Sequence, residues 1–401
     1  MGYVTPDFHQ RLQRLDTLLQ HYAWLWRPQP YKELEPSWCA RLPALKSVLL
    51  ALSDAEVERY AADTDLMLRV VDAHVPGVAE LVALSHLPAL PSVHPLTRNP
   101  HLEGDVPGRK LRQITAFAET VSGTNLPLLE WCGGKGHLGR IFADQRRISV
   151  TTLERDAALC ASGMRLARRA RVEQVFHVVD VLTQEAAQYL AQHHAIALHA
   201  CGELHRTLLR QAVDTRTPAL DISPCCYHLG TVGAYRSFSG IVQLVLFPDD
   251  LRMAVTETVT AAPRETRKRD REMAWKLAFE QLCREVSGVT AYRSVPPIDK
   301  QWLELGFAEF IRRLARREGV HLPEHLDVHR FEALGWRRQR DVMRLSLPRS
   351  AFRRALEMWL VLDMAASLVD HGYHVSLGKY CSRSLTPRNI LLSARLANSA
   401  T

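Results

Sequence analysis

The chain has 401 residues, 47% apolar and 23% charged, with 51 Lys and Arg against 43 Asp and Glu. This is an ordinary globular balance with room for two or three domains. A net charge of +8 permits an acidic partner such as RNA but does not demonstrate one. Eight cysteines occur without a C-x-x-C pair, which argues against a zinc ribbon or a disulfide framework. Cys225 and Cys226 are adjacent and suit neither, so no metal site is expected, and a reducing compartment is the default. The first residues, MGYVTPDFHQRLQRL, lack an apolar signal core, and no uncharged apolar run reaches 18 residues. The most apolar late stretch, 355–369, is broken by Glu357 and Asp363. A soluble cytoplasmic chain without a membrane partner is expected.

Residues 1–100 read as a helical accessory domain. Thr5-Pro6 has the form of an N-cap followed by N1. Leu12, Leu15, Leu18, Leu19 and Tyr22 then recur at helical spacing. Ser53 and Glu56 form a capping-box pair ahead of Val57, Tyr60, Leu66 and Val70. A polar loop over 99–108 leads to a helix carrying Lys110, Gln113, Ile114, Phe117 and Val121, closed near Gly123. From this helix Arg109, Lys110 or Gln113 could reach a cofactor carboxylate.

The stretch 126–143, LPLLEWCGGKGHLGRIFA, reads as strand, glycine turn and helix. Such a turn brings backbone N–H groups and a helix N-terminus against a nucleotide-like ligand. Gly134, Gly136 and Gly139 satisfy G-x-G-x-x-G, which alone is a weak dinucleotide signal. Glu130 shifts the balance, because a carboxylate there would repel a pyrophosphate. It would favour S-adenosylmethionine (SAM), which is phosphate-free and carries a sulfonium and an ammonium. The segment resembles motif I of class I SAM-dependent methyltransferases, with Cys132 in place of the first glycine.

Strand-helix alternation continues. A β-branched run over 148–153 ends in Glu154, placed to accept both ribose hydroxyls. A basic helix spans 156–171, and a third strand over 175–179 ends at Asp180. A helix over 183–193 and a fourth strand over 195–198 run into His199-Ala200-Cys201-Gly202-Glu203. A fifth strand over 219–222 is followed by Ser223-Pro224-Cys225-Cys226-Tyr227-His228. The polar clusters fall at the carboxyl ends of the strands, where a parallel doubly wound sheet holds its ligands.

GGKGHLGRIFA, ALHACGEL, SPCCYH and SLTPRNILL together resemble the methyltransferase module of the glutathione S-transferase C-terminal-domain-containing proteins. A more distant similarity is to the eukaryotic tRNA ribose methyltransferase of the acceptor stem. The resemblance covers residues 109–222, 225–228 and the C-terminal hairpin. It implies a Rossmann-like α/β fold with a seven-stranded sheet, a helical N-terminal domain and a helical insertion before the last two strands. It implies SAM as cofactor, with Glu130, Cys132, Gly134, Lys135, Gly136, Glu154, Asp180, Val181 and His199 at the cofactor. It leaves the acceptor open. The domains expected are 1–100, a core at 101–228, an insertion at 229–370 and a hairpin at 371–401.

The insertion reads as helices with basic clusters at 264–271, 312–317 and 337–340, interleaved with acids. These are either solvated helix faces or phosphate contacts. His321, His325 and His329 are four apart, but Pro323 breaks the helix a metal site would need. The chain closes with two strand-like runs, 373–379 and 389–394, around a turn at 386–388. If the acceptor is a hydroxyl or amine, His199, Tyr227, His228 and Lys135 are the candidate proton acceptors. A covalent route through Cys225, with Cys201 after the fourth strand, resembles RNA cytosine C5 methyltransferases, but Pro224 lies in the wrong loop for that pattern. RNA is the expected acceptor, with tRNA as the candidate within it. The alternatives are a protein or small-molecule acceptor, or a non-catalytic SAM-fold interaction protein.

Overall fold

The computed structural model describes residues 7–97, 99, 102, 106–256, 263–288 and 292–397. The helix start expected at Thr5-Pro6 lies outside them. The chain forms two compact units, one of residues 1–20, 81–257 and 353–401, the other of 21–80 and 258–352. The first hundred residues and the 229–370 stretch each contribute to both. Among the described residues no helix is long and apolar enough to cross a membrane.

The first unit is built on seven strands: β1 (Leu128–Trp131), β2 (Val150–Glu154), β3 (Gln174–Val178), β4 (His194–Cys201), β5 (Ala219–Cys225), β6 (Tyr373–Lys379) and β7 (Ile390–Leu396). Their order is β3-β2-β1-β4-β5-β7-β6. The first five run parallel, and β7 is inserted antiparallel between β5 and β6. β1 and β5 are buried along their whole length, as expected of strands covered on both faces. Chain direction across the sheet reverses between β1 and β4, which opens a crevice at their carboxyl ends. One core cluster joins Ile114, Phe117, Leu138, Phe142, Leu128, Val150 and Ile196 with Tyr380 and Leu391 of the C-terminal segment. The expected seven-stranded α/β sheet is present.

Several element boundaries depart from expectation. The helix Gly108–Thr120 ends at Val121, which is extended, and Gly123 is not its closing residue. Over 183–193 the chain forms only a 3-10 helix, Gln184–Tyr189. The reason is local: the Asp180 carboxylate takes the Leu182 N–H and its carbonyl takes the Thr183 N–H, which spends the first turn on a loop. The β6–β7 connection runs over 380–389, with the Asn389 side-chain amide donating to the Cys381 carbonyl. The helix Arg353–Asp370 is buried almost throughout. Its Asp363 is fully buried because it anchors the 235–239 loop, accepting from Tyr235, Ser237 and Ser239 hydroxyls and from two backbone N–H groups.

The second unit is helical. The capping box at Ser53 and Glu56 forms as the sequence suggests, with Ser53 N–H donating to Glu56 at 2.8 Å. Phe307, Phe310, Ile311, Leu314 and Ala315 face one core from the helix Phe307–Glu318, at the spacing of a single helical stripe. Trp275, Phe279 and Phe331 complete that core. His321 and His325 lie in the loop after this helix and His329 in the next one, so they share no helix face.

Candidate functional site at the strand ends

β1 ends at Trp131, and the chain then passes through two left-handed residues, Cys132 (φ 56°) and Gly134 (φ 60°), before Gly136 opens the helix His137–Arg146. Gly136 is itself left-handed (φ 65°), and a Cβ there would meet the Gln174 amide at 2.4 Å and the Phe176 ring at 2.5 Å. Only glycine satisfies both demands. Arg140, buried in the first turn of the helix, donates to the Lys135 carbonyl at 3.1 Å and stiffens the loop from below.

Glu130 lies beneath this turn, 3% exposed, and not on its open side. The Thr152 hydroxyl (2.9 Å) and the Gln174 amide (3.3 Å) both donate to its Oε2. A Cβ on Gly133 or Gly139 would strike the same carboxyl group. Burial pushes the Glu130 carboxyl up to about 7 against the lowering effect of the Thr152 hydroxyl and the Gly139 backbone N–H. Its carboxyl packs beneath the turn that the sequence places at the cofactor.

Glu154, half-buried at the end of β2, accepts the Gly134 N–H (3.0 Å) and the Asp156 N–H (3.0 Å). Asp180 is exposed at the end of β3, and Val181 beside it is buried. Burial raises the Cys132 thiol strongly, and the Glu154 and Asp180 carboxylates and the Cys201 thiol add to the rise. The four groups therefore converge at the carboxyl ends of β1 to β4. Lys135 is exposed on the turn.

At the end of β4, His199 is left-handed (φ 63°) and half-buried. Its Nε2 lies 3.1 Å from Gln113 Oε1. The Gln113 amide nitrogen donates to the Leu385 carbonyl at 3.3 Å, which fixes its oxygen toward the histidine. His199 Nε2 is therefore the donor and Nδ1 the remaining acceptor. Burial, with Arg388 and Lys110 adding positive charge, lowers His199 to about 4 and keeps it neutral at pH 7. Gln113 thus positions His199, and Arg109 also donates to the Leu385 carbonyl.

Tyr227 and His228 follow β5. Tyr227 is 1% exposed, its hydroxyl has no partner, and its ring packs edge-on against His205. Burial raises its hydroxyl well above the ordinary value. His228 is half-buried with its Nδ1 unpartnered.

Three thiols meet here. Cys201 and Cys225 are register partners across β4 and β5, with Sγ atoms 3.4 Å apart, and Cys226 Sγ joins them, all within 4.8 Å of one another. The adjacent Cys225 and Cys226 reach one point because Cys226 is left-handed (φ 48°). A continued strand would send them to opposite faces. Gln174, Thr152, Arg140 and this cluster were missed; the first two and the cluster are visible only once strand register is known, while Arg140 acts locally within its helix.

Residues 109–231 match the model of a family described as a methyltransferase domain. With the sheet order above, the match decides the character of this segment. This segment is similar to a methyltransferase domain. No curated protein matches the chain. Among solved structures, a tRNA (uracil-54, C5)-methyltransferase of Pyrococcus abyssi aligns at 16% identity over 28% of this chain and 27% of that one, with a TM-score of 0.24. The glycopeptide N-methyltransferase MtfA aligns at 20% identity over 31% and 58%, with a TM-score of 0.24. Coclaurine N-methyltransferase aligns at 15% identity over 46% and 62%, with a TM-score of 0.27. The chain thus spans less than two thirds of each of these proteins. A cavity of about 810 Å³ lies beside the helix Glu203–Asp214, and no residue of the glycine turn lines it.

Proposed function

We propose that the whole chain transfers a methyl group from SAM to an acceptor, and that the acceptor is RNA. The observation that carries the first part is the Glu154 carboxylate at the end of β2, tied to Gly134 N–H and set beside Cys132 and Asp180 at the crevice. The residues fit the cofactor: two carboxylates with open lone pairs suit ribose hydroxyls and an adenine amino group, and the turn carries no cation placed for a phosphate except exposed Lys135. SAM supplies an electrophilic methyl on a sulfonium with a neutral thioether leaving group. Glu154 holds the ribose, Asp180 and Val181 frame the adenine, and Gly134, Lys135 and Gly136 face the remainder with Cys132. Glu130 acts through the turn that it supports. His199, neutral and oriented by Gln113, lines the acceptor side with its Nδ1 as acceptor and orders the attacking group.

The net charge of +8 and the resemblance to a tRNA ribose methyltransferase support RNA. A protein or small-molecule acceptor is the second reading, and it is favoured by the basic clusters of the second unit. There Arg312 and Arg313 pair with Glu309, Lys268 pairs with Glu304, and Arg338 donates to the Pro30 and Glu33 carbonyls. Those cations serve the helical unit itself. The helical segment at 1–100 and the kinship to glutathione S-transferase C-terminal-domain-containing proteins belong to the proposal, as does a cytoplasmic setting.

The test is calorimetric titration with SAM and, separately, NAD, followed by transfer of labelled methyl to total RNA, a protein extract and small-molecule pools. Saturable SAM binding with label in RNA supports the proposal, and label in another pool moves the acceptor to the second reading. Binding of NAD alone, or no SAM binding at millimolar ligand, overturns it.

A further inference from the structure

Cys201, Cys225 and Cys226 stand where two chain segments are locked together by backbone bonds. Gly202 N–H donates to the Cys225 carbonyl (3.0 Å), Glu203 N–H to the Leu229 carbonyl (3.0 Å), and Arg206 to the Tyr227 carbonyl (3.0 Å). Gly202 permits the approach, since a Cβ there would sit 2.1 Å from the Leu229 carbonyl oxygen. The loop 225–229 is therefore held against the start of the helix Glu203–Asp214 without help from the thiols. The thiols are left preorganised, pointing at one another and making no ion pair. His228, two residues beyond Cys226, adds a buried Nδ1 with no hydrogen-bond partner.

Zinc-class cations bind thiolate sulfur at about 2.3 Å and imidazole nitrogen at about 2.0–2.1 Å in a tetrahedron, which sets sulfurs about 3.8 Å apart. Three Sγ atoms within 4.8 Å of one another, with Cys201 and Cys225 at 3.4 Å, already surround such a centre. His228 lies outside this 4.8 Å group and reaches the centre by reorienting its side chain. We propose that Cys201, Cys225 and Cys226 bind one thiophilic divalent cation of the zinc class, with His228 Nδ1 as fourth ligand. The ion displaces the three thiol protons and clamps the ends of β4 and β5 at the side of the crevice where the acceptor enters. The 2+ ion among three thiolates leaves a site with net charge 1−, which the neighbouring Arg388 guanidinium offsets. The inference rests on thiol geometry and not on the methyltransferase reading, so either can fail alone.

The test uses full-length protein, reduced with a phosphine and stripped with a chelator. Cobalt(II) is titrated in as a spectroscopic probe, and zinc affinity is measured by competition with a chromophoric chelator. One equivalent of cobalt should give the thiolate charge-transfer absorption and visible bands of a tetrahedral three-sulfur site. Cys226→Ser should weaken zinc binding by more than about 100-fold. His228→Asn should shift the visible bands while leaving the charge-transfer intensity near its original value. Cys283→Ser, a buried thiol of the helical unit, should change nothing. Absence of cobalt absorption at one equivalent overturns the inference, as does a Cys201→Ser or Cys226→Ser protein with a normal melting curve that binds zinc as tightly as the original.

Discussion

Gly134 and Glu154 are joined by a hydrogen bond of 3.0 Å from the backbone N–H of the glycine turn to the carboxylate at the end of β2. One acid therefore shapes the turn and offers its remaining lone pairs to the crevice. Replacing Glu154 by Ala removes both functions. SAM affinity should fall about 10- to 100-fold, the range of one to two charge-assisted hydrogen bonds. Glu154→Gln should fall at the lower end, because its amide oxygen can still take the Gly134 N–H. Calorimetry on the two variants checks the ranking. Equal affinity in Glu154→Ala and the original protein would remove Glu154 from the site.

Glu130 offers the contrasting case of an acid held inward. Glu130→Ala should destabilise the fold by about 2–4 kcal/mol, since Thr152 and Gln174 lose a shared acceptor and a cavity opens under Gly133 and Gly139. Glu130→Gln keeps an oxygen in the Oε2 position and should cost under about 1 kcal/mol near pH 6. The folded carboxyl is raised to about 7, so the folded state binds more protons than the unfolded chain between about pH 4.5 and 7. Its contribution to stability falls as pH rises through that window, and Glu130→Gln should remove that fall. Urea unfolding at pH 5 and pH 8 measures the difference. A Gln variant with the same pH slope as the parent contradicts the assignment.

Buried histidines act with the opposite sign. His199 and His205 are both lowered to about 4 by burial, and His194 is lowered as well. Between pH 6.5 and about 4 the unfolded chain binds protons that the folded chain refuses, so stability rises with pH there and drops on acidification. The loss should be on the order of 3 kcal/mol for each of the first two residues at full protonation of the unfolded state. Melting temperature followed from pH 7 to pH 4.5 should fall, and His205→Gln should flatten part of the slope. An unchanged slope in that variant would mean that His205 is not the neutral buried group described.

Tyr227 gives the sharpest distinction between a packing and a chemical role. Its hydroxyl is buried without a partner, so Tyr227→Phe should leave methyl transfer unchanged and alter stability by less than about 1 kcal/mol. A loss of kcat beyond about tenfold, with SAM affinity retained, would restore the hydroxyl as a participant.

Much of this arrangement could be read from the residues. The run from Leu128 to Phe142 announces strand, turn and helix because glycines at 134 and 136 have few other uses between two apolar patterns. The acids at 154 and 180 are legible because each ends an apolar strand. Orientation was not legible. Glu130 turns inward because Thr152 is its register partner on β2 and Gln174 opens β3, and neither pairing exists in one dimension. Cys201 and Cys225 were legible as loop partners after the fourth and fifth strands, but the convergence of Cys226 with them was not, since it depends on strand register and on the left-handed turn at Cys226. Gln113 pointed toward a ligand in sequence, and in the fold its two amide atoms serve Leu385 and His199.

The antiparallel insertion of β7 also bears on how the chain comes to be folded. β5 pairs with β7, and Asp221 on β5, fully buried, meets Arg395 on β7 at 2.8 Å as well as His194 at 2.5 Å. More than 170 residues separate the two charged partners. During synthesis β5 waits as an open edge, with its carboxylate lacking the cation that compensates it, while the intervening residues emerge from the ribosome. Sheet closure is therefore a late event that depends on residues near 395. Shortening the chain before Arg395 should yield a nascent species that chaperones retain, with β1 to β5 formed but unsealed.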